Sequence, residues 1–135
     1  MEIILDSNIL IAAERGKFDL AAWTSSLPRV DFAVSAVTVA ELWHGVERAT
    51  GARRLSRQTY VEMTLAVIKC FPYTNQTARV HARIWAELES SGRMIGGHDL
   101  IIAATALEHL TPVATFNTRH FSSVPGLQTI TPTLA

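Results

Sequence analysis

Ile3-Ile4-Leu5-Asp6-Ser7-Asn8-Ile9-Leu10-Ile11-Ala12-Ala13-Glu14 decides how this chain folds. Three consecutive apolar residues without polar alternation are the mark of a strand buried on both faces, as strands of parallel sheets are. The run stops at Asp6. Ser7 can then cap a helix that continues through Glu14 and ends at Gly16. A buried strand feeding straight into a helix is the first half of a βαβ unit.

The rest of the chain repeats that alternation. A short helix is expected over 18–25, closed by Pro28, and a second strand over 32–35. Residues 37–47 follow a helical period, with Val39, Leu42, Trp43 and Val46 on neighbouring rows. Gly51 punctuates before a helix over 55–68, and 69–73 reads as a short edge strand, because Pro72 cannot donate to a ladder. A long amphipathic helix over 75–90 is stopped by Ser91-Gly92. An alanine-rich apolar helix follows over 99–110, with strands at 112–116 and 127–130. Strands alternating with helices imply right-handed crossovers and a mainly parallel sheet flanked by helices on both faces, an α/β fold in a single domain over 1–135.

Composition agrees. The 135 residues are 48% hydrophobic and 18% charged, enough apolar surface for one core and far from a disordered chain. Cys70 is the single cysteine, which excludes an intrachain disulfide framework and a cysteine-based zinc cluster. No apolar run reaches the roughly 20 residues that span a bilayer. The N-terminus lacks the basic start and apolar stretch of a secretory signal. A cytoplasmic protein with no membrane partner is the expectation.

Twelve basic and twelve acidic residues cancel, but unevenly. Between Arg48 and Arg93 there are eight basic residues and three acidic, a local charge of +5 (eight minus three). Such a basic middle could form a polyanion-binding face beside a carboxylate site, with Arg53, Arg54 and Arg57 as its densest cluster. Arginines on solvated helix faces are the plainer alternative.

Four polar residues stand at element junctions: Asp6 and Asn117 after strands, Glu41 and Asp99 in the early turns of helices. In open parallel sheets, functional groups gather beyond the carboxyl ends of the strands. Carboxylates packed there repel one another and raise each other's pKa unless a cation joins them, and Mg²⁺ is the hard ion that takes such oxygens. Each residue also has an ordinary structural reading. Asp6 can be a strand-end cap, Glu41 can complete a Thr38-Val39-Ala40-Glu41 capping box, Asp99 can favour a helix dipole, and Asn117 can be a turn residue. Their joint placement at one sheet edge is what points to chemistry.

Other chemistries lack their motifs. There is no phosphate-binding glycine loop and no G-x-S-x-G elbow. Asp6-Ser7-Asn8 lacks the second aspartate of an aspartyl-phosphate phosphatase, and the five histidines show no metal spacing. His98, beside Asp99, is the one histidine placed to matter. Trp43, Trp85 and Met63 fall on apolar helix rows and read as core or subunit contacts.

Four segments together carry a resemblance: 4–10 (Ile4-Leu5-Asp6-Ser7-Asn8-Ile9-Leu10), 37–42 (Val37-Thr38-Val39-Ala40-Glu41-Leu42), 95–107 around Gly97-His98-Asp99-Leu100, and Thr115-Phe116-Asn117-Thr118-Arg119-His120-Phe121. They resemble the PIN domain, and more closely the VapC-type toxins of bacterial toxin–antitoxin pairs. The likeness spans nearly the whole chain, making 1–135 a single PIN-like nuclease domain.

The resemblance implies an endoribonuclease dependent on Mg²⁺, with Mn²⁺ as a substitute, cutting structured RNA such as tRNA or rRNA. It also implies a homodimer and a cognate antitoxin that occludes the acidic site, with DNA reached only through that antitoxin. Asp6 and Asp99 would be the main metal ligands, Glu41 a ligand or orienter, and Asn117 would stand at a fourth corner where relatives can carry an acid. His98 replaces a further carboxylate. The bound ion would activate a water and stabilise charge on the phosphodiester, leaving a 5′-phosphate and a 3′-hydroxyl. The competing reading is a catalytically silent PIN-fold module that binds RNA or protein, and retention of Asp6, Glu41 and Asp99 weighs against it. A response-regulator-like phosphoacceptor would need an aspartate where Tyr73-Thr74-Asn75 stands.

Overall fold

In the computed structural model, which describes residues 1–133, the chain runs β1 (Glu2–Leu5), α1 (Ser7–Glu14), α2 (Leu20–Ser25), β2 (Asp31–Ser35), α3 (Ala36–Arg48), α4 (Gly51–Val67) and β3 (Lys69–Phe71). It continues through α5 (Asn75–Ser90), α6 (Gly97–Glu108), β4 (Val113–Ala114), α7 (Thr118–Phe121) and β5 (Thr129–Ile130). The five strands form one sheet in the order β3-β2-β1-β4-β5, and every pairing is parallel. After β1 the chain builds outward to β2 and β3 on one side, then returns to place β4 and β5 on the other. The strand order therefore reverses between β1 and β4, the switch point beyond whose carboxyl ends open parallel sheets hold their functional groups.

Strand alternation sorts the apolar residues into two cores. Ile3 and Leu5 of β1 face one way with Val34 and Ala114, packing against Ile9, Leu10, Leu42, Val46 and Val61 of the α1, α3 and α4 layer. Ile4 faces the other way with Ala33 and Val113, against Ile84 and Leu88 of α5 and the inner face of α6. The period of two along a strand dictates this division, and burial on both faces explains why β1 shows no polar residue before Asp6. Within α6, Ala103, Ala104 and Ala106 are wholly buried, and small side chains let this helix lie close to its neighbours.

The local signals locate most elements, with instructive differences. α5 covers the expected residues, capped by Thr74 and released by Gly92 at φ +67°. α4 begins at Gly51, four residues before the expected start, because Gly51 at φ +61° makes the turn itself and leaves the polar residues after it free to be helical. α6 starts at Gly97 and ends at Glu108, and the last two strands contract to two residues each. The cap of α3 is Ser35, whose Oγ accepts from the Thr38 backbone N–H. Thr38 therefore sits inside the first turn, and the Thr38–Glu41 capping box does not form. Likewise Ser7 lies inside α1, with Asp6 at the N-cap position, and α7 is an unforeseen turn of helix anchored by the fully buried Phe121. Trp85 (48% exposed) and Met63 (69% exposed) are not core residues, whereas Trp43 does pack on the α3 side. Among the described residues no helix is long and apolar enough to cross a membrane.

Candidate active site

Asp6 ends β1 and is held there by backbone bonds on both sides: its N–H donates to Ala114 O (2.9 Å) and its carbonyl accepts from Ile9 N (3.0 Å). The side chain is 4% exposed. Its Oδ2 accepts from the Thr115 hydroxyl at 2.8 Å. Thr115 in turn accepts from the backbone N–H of Asn117 (2.9 Å) and from Asn8 Nδ2 (3.2 Å), so one hydroxyl ties β1, α1 and the loop after β4 together.

Glu41 comes from α3, one turn inside the helix, and points back at Asp6. The Ser7 hydroxyl lies between them, 3.5 Å from Asp6 Oδ1 and 3.3 Å from Glu41 Oε2. A hydroxyl has one proton, so Ser7 satisfies one of these carboxylates at a time. Glu41 Oε1 is buried without a hydrogen-bond partner. Burial pushes the Asp6 carboxyl above the ordinary aspartate value, and nearby Asp99 adds to the rise while the Thr115 bond opposes it. Burial also raises Glu41, against the lowering pull of His98, with Asp6 adding to the rise. These are the marks of an acid pair short of positive charge.

Asp99 enters from the first turn of α6. Its Oδ2 stands 3.0 Å from Nδ1 of His120, which α7 supplies. His98 is paired differently, with Nδ1 3.6 Å from Glu41 Oε2. Asn117, at the N-cap position of α7, uses its backbone N–H on Thr115 while its side chain makes no cap bond. The structure therefore joins Asp6 to Glu41 through one hydroxyl and sets Asp99 within Coulombic reach of Asp6. It does not draw three ligands into one finished shell, and among the described residues no group of three or more histidine, cysteine or carboxylate side chains stands ready to hold an ion. The donor chemistry nonetheless suits a hard cation: carboxylate oxygens, one of them buried and unpartnered, in a pocket that resists their charge.

The three arginines of the expected basic cluster diverge. Arg54 is spent on the end of α3, donating to the carbonyls of Val46 and Glu47 (both 3.4 Å) and to Glu47 Oε1 (3.2 Å). Arg53 is exposed on α4. Arg57 alone of the three reaches the site's surroundings: it donates to Gly45 O at 3.2 Å and lines a cavity of about 580 Å³ whose wall includes Glu41 and His98. Three residues of this site carry no functional signal in the sequence. Ser7 has the sequence chemistry of a helix cap, Thr115 reads as an ordinary strand residue, and His120 lies on a helical turn too short to show a period.

Residues 3–127 match the PIN domain family. The chain is 33% identical over 133 residues to Ribonuclease VapC of Rickettsia bellii, covering 97% of this chain and 96% of that protein. It is 30% identical to the tRNA(fMet)-specific endonuclease VapC of Shigella flexneri, with 96% of each covered. Among solved structures, VapBC-1 from nontypeable Haemophilus influenzae superposes with a TM-score of 0.85 at 26% identity, over 96% of this chain and 97% of that one.

Proposed function

The chain belongs to the PIN-domain family and, within it, to the VapC ribonucleases, and from that premise we propose a divalent-metal-dependent endoribonuclease toxin that cuts structured RNA. The observation that carries the metal requirement is the buried, unpartnered Glu41 Oε1 beside Asp6, two carboxylates competing for the single Ser7 proton. Asp6, Glu41 and Asp99 would hold Mg²⁺ or Mn²⁺, with Asn117 at the fourth corner. When bound, such an ion supplies an activated water and stabilises charge developing on the phosphate.

The chain's own groups prepare the site. Thr115 fixes the Asp6 carboxylate, so that it meets the cation without reorganising. His120 and His98 keep Asp99 and Glu41 facing the pocket. The Asn117 amide can orient water without adding charge. Water adds to phosphorus and the bond to the 3′ oxygen breaks, leaving a 5′-phosphate and a 3′-hydroxyl.

The relative named as a tRNA(fMet)-specific endonuclease supports tRNA as the substrate class. A solved relative from the VapBC family of toxin–antitoxin systems supports a cognate antitoxin as partner, and the proposal takes the toxin to be a cytoplasmic homodimer that this antitoxin neutralises. Incubating the purified chain with total RNA, with Mg²⁺ or with a chelator, and mapping new 5′ ends tests the activity. Cleavage that is indifferent to the chelator, or that survives in Asp99→Asn, would overturn the proposal.

A further inference from the structure

The cavity beside Glu41 is walled by α1, α3 and α4, with His98 of α6 at its edge, and three guanidinium groups line it: Arg15, Arg48 and Arg57. Arg15 follows the last turn of α1, Arg48 ends α3, and Arg57 crosses from α4 to Gly45 O at 3.2 Å. Among the described residues none of the three forms a salt bridge, whereas Arg54, one turn away, is committed to Glu47. Two carboxylates, Glu14 and Glu41, also face the cavity, and Glu41 belongs to the acidic site. The remaining balance is positive, in a cavity that shares a wall with the place where cleavage is proposed.

We propose that this cavity is the subsite for the RNA phosphates flanking the scissile bond, with Arg15, Arg48 and Arg57 as its ligands. The inference rests on the ribonuclease reading of the acidic site. A strand whose reacting phosphate lies at Asp6, Glu41 and Asp99 must carry its neighbouring phosphates somewhere, and the guanidinium fork matches phosphate oxygens in both charge and geometry. An acidic protein segment is a poorer occupant, because continuing past Glu41 would bring its carboxylates against Asp6 and Asp99 with no cation of its own. The subsite also explains the uneven charge of the chain: part of the basic middle is gathered here by the α3–α4 hairpin, and Arg15 joins it from the acidic N-terminal flank.

The test is the salt dependence of RNA binding. A fluorescein-labelled single-stranded oligoribonucleotide is titrated in chelator, so that it stays intact, with the wild type, with Arg15→Gln/Arg48→Gln, and with Arg83→Gln on α5 as a control outside the cavity. The double variant spares Arg57, whose bond to Gly45 supports the hairpin. Each lost phosphate contact removes about 0.7 from the slope of log K against log salt for a single strand, so the double variant is expected to be shallower by about 1.4. Arg83→Gln is expected to keep the wild-type slope. If the wild type cuts RNA but the double variant binds it with an unchanged slope, the subsite is wrong and the ribonuclease reading stands. If the double variant instead loses only the binding of a polyglutamate peptide, the cavity is a protein-docking face and the inference is overturned. If the wild type neither binds nor cuts RNA, both readings fall together.

Discussion

Replacing Asp6 by asparagine removes one charge from a side chain that is 4% exposed and keeps its shape. The two distances from Ser7 Oγ, 3.5 Å and 3.3 Å, bound the separation of the nearest Asp6 and Glu41 oxygens at about 6.8 Å, where two unit charges at an effective dielectric of about 20 repel by roughly 2 kcal/mol. Against that relief, the Thr115 bond changes from charge-assisted to neutral, a loss of about 1 kcal/mol. The ion-free variant should therefore be the more stable protein by about 1 kcal/mol at neutral pH, raising Tm by about 4 °C for a domain of this size. The pH dependence follows from the raised Asp6 carboxyl. A raised group contributes stability that is present below its unfolded value and lost as pH rises through its folded value. The advantage of the variant should thus be full at neutral pH, shrink as pH falls through the raised Asp6 carboxyl, and be gone below the ordinary aspartate range. Calorimetry in chelator across that range reads the difference directly. Adding Mn²⁺ should reverse the order, since an ion that binds only the folded wild type stabilises it by mass action, by about 2.7 kcal/mol at a hundredfold excess over Kd. A variant less stable than wild type in chelator, or one that gains as much from Mn²⁺, would refute the account of an acid pair held short of a cation.

Glu41→Gln should leave Tm in chelator unchanged or raised while RNA cleavage falls at least a hundredfold, a split that end-mapping and calorimetry on one preparation would show. Thr115→Val removes a hydroxyl with three partners and leaves the Asn117 N–H and Asp6 Oδ2 unpaired, so denaturant titration should register a loss of about 2–4 kcal/mol that Thr115→Ser largely restores. Asn117→Asp should tighten Mn²⁺ binding in a calorimetric titration, and an unchanged isotherm would put residue 117 beyond the ion's reach.

The fold was legible wherever one strong local signal dominated. The unbroken run Ile3-Ile4-Leu5 located the central strand, and the Ser91-Gly92 stop located the end of α5. The misplaced caps share one cause. Ser35, Thr38 and Ser7 all have the chemistry of a cap, and which of them caps is settled by where the strand before each helix stops pairing, a tertiary fact. The carboxylates were legible because apolar surroundings isolate them. The groups that hold them were not: Thr115 acts on Asp6 across 109 residues, and the tie of His120 to Asp99 depends on a four-residue helix whose anchor, Phe121, is recognisable only once its burial is known.

The position of β1 at the centre of the sheet has a consequence for synthesis. Its pairing partner on one side, β4, and the hydroxyl that fixes Asp6 come from the last quarter of the chain. A ribosome adds about 5–20 residues each second, so for several seconds the nascent polypeptide holds Asp6 and Glu41 with nothing yet made to set them. Parallel pairing across such separations also forms late and slowly. The acidic site therefore cannot be set while the chain is still being translated, and a product cut short before Thr115 lacks the hydroxyl that holds Asp6. The acidic site is completed last, only once Thr115 and β4 have docked against β1.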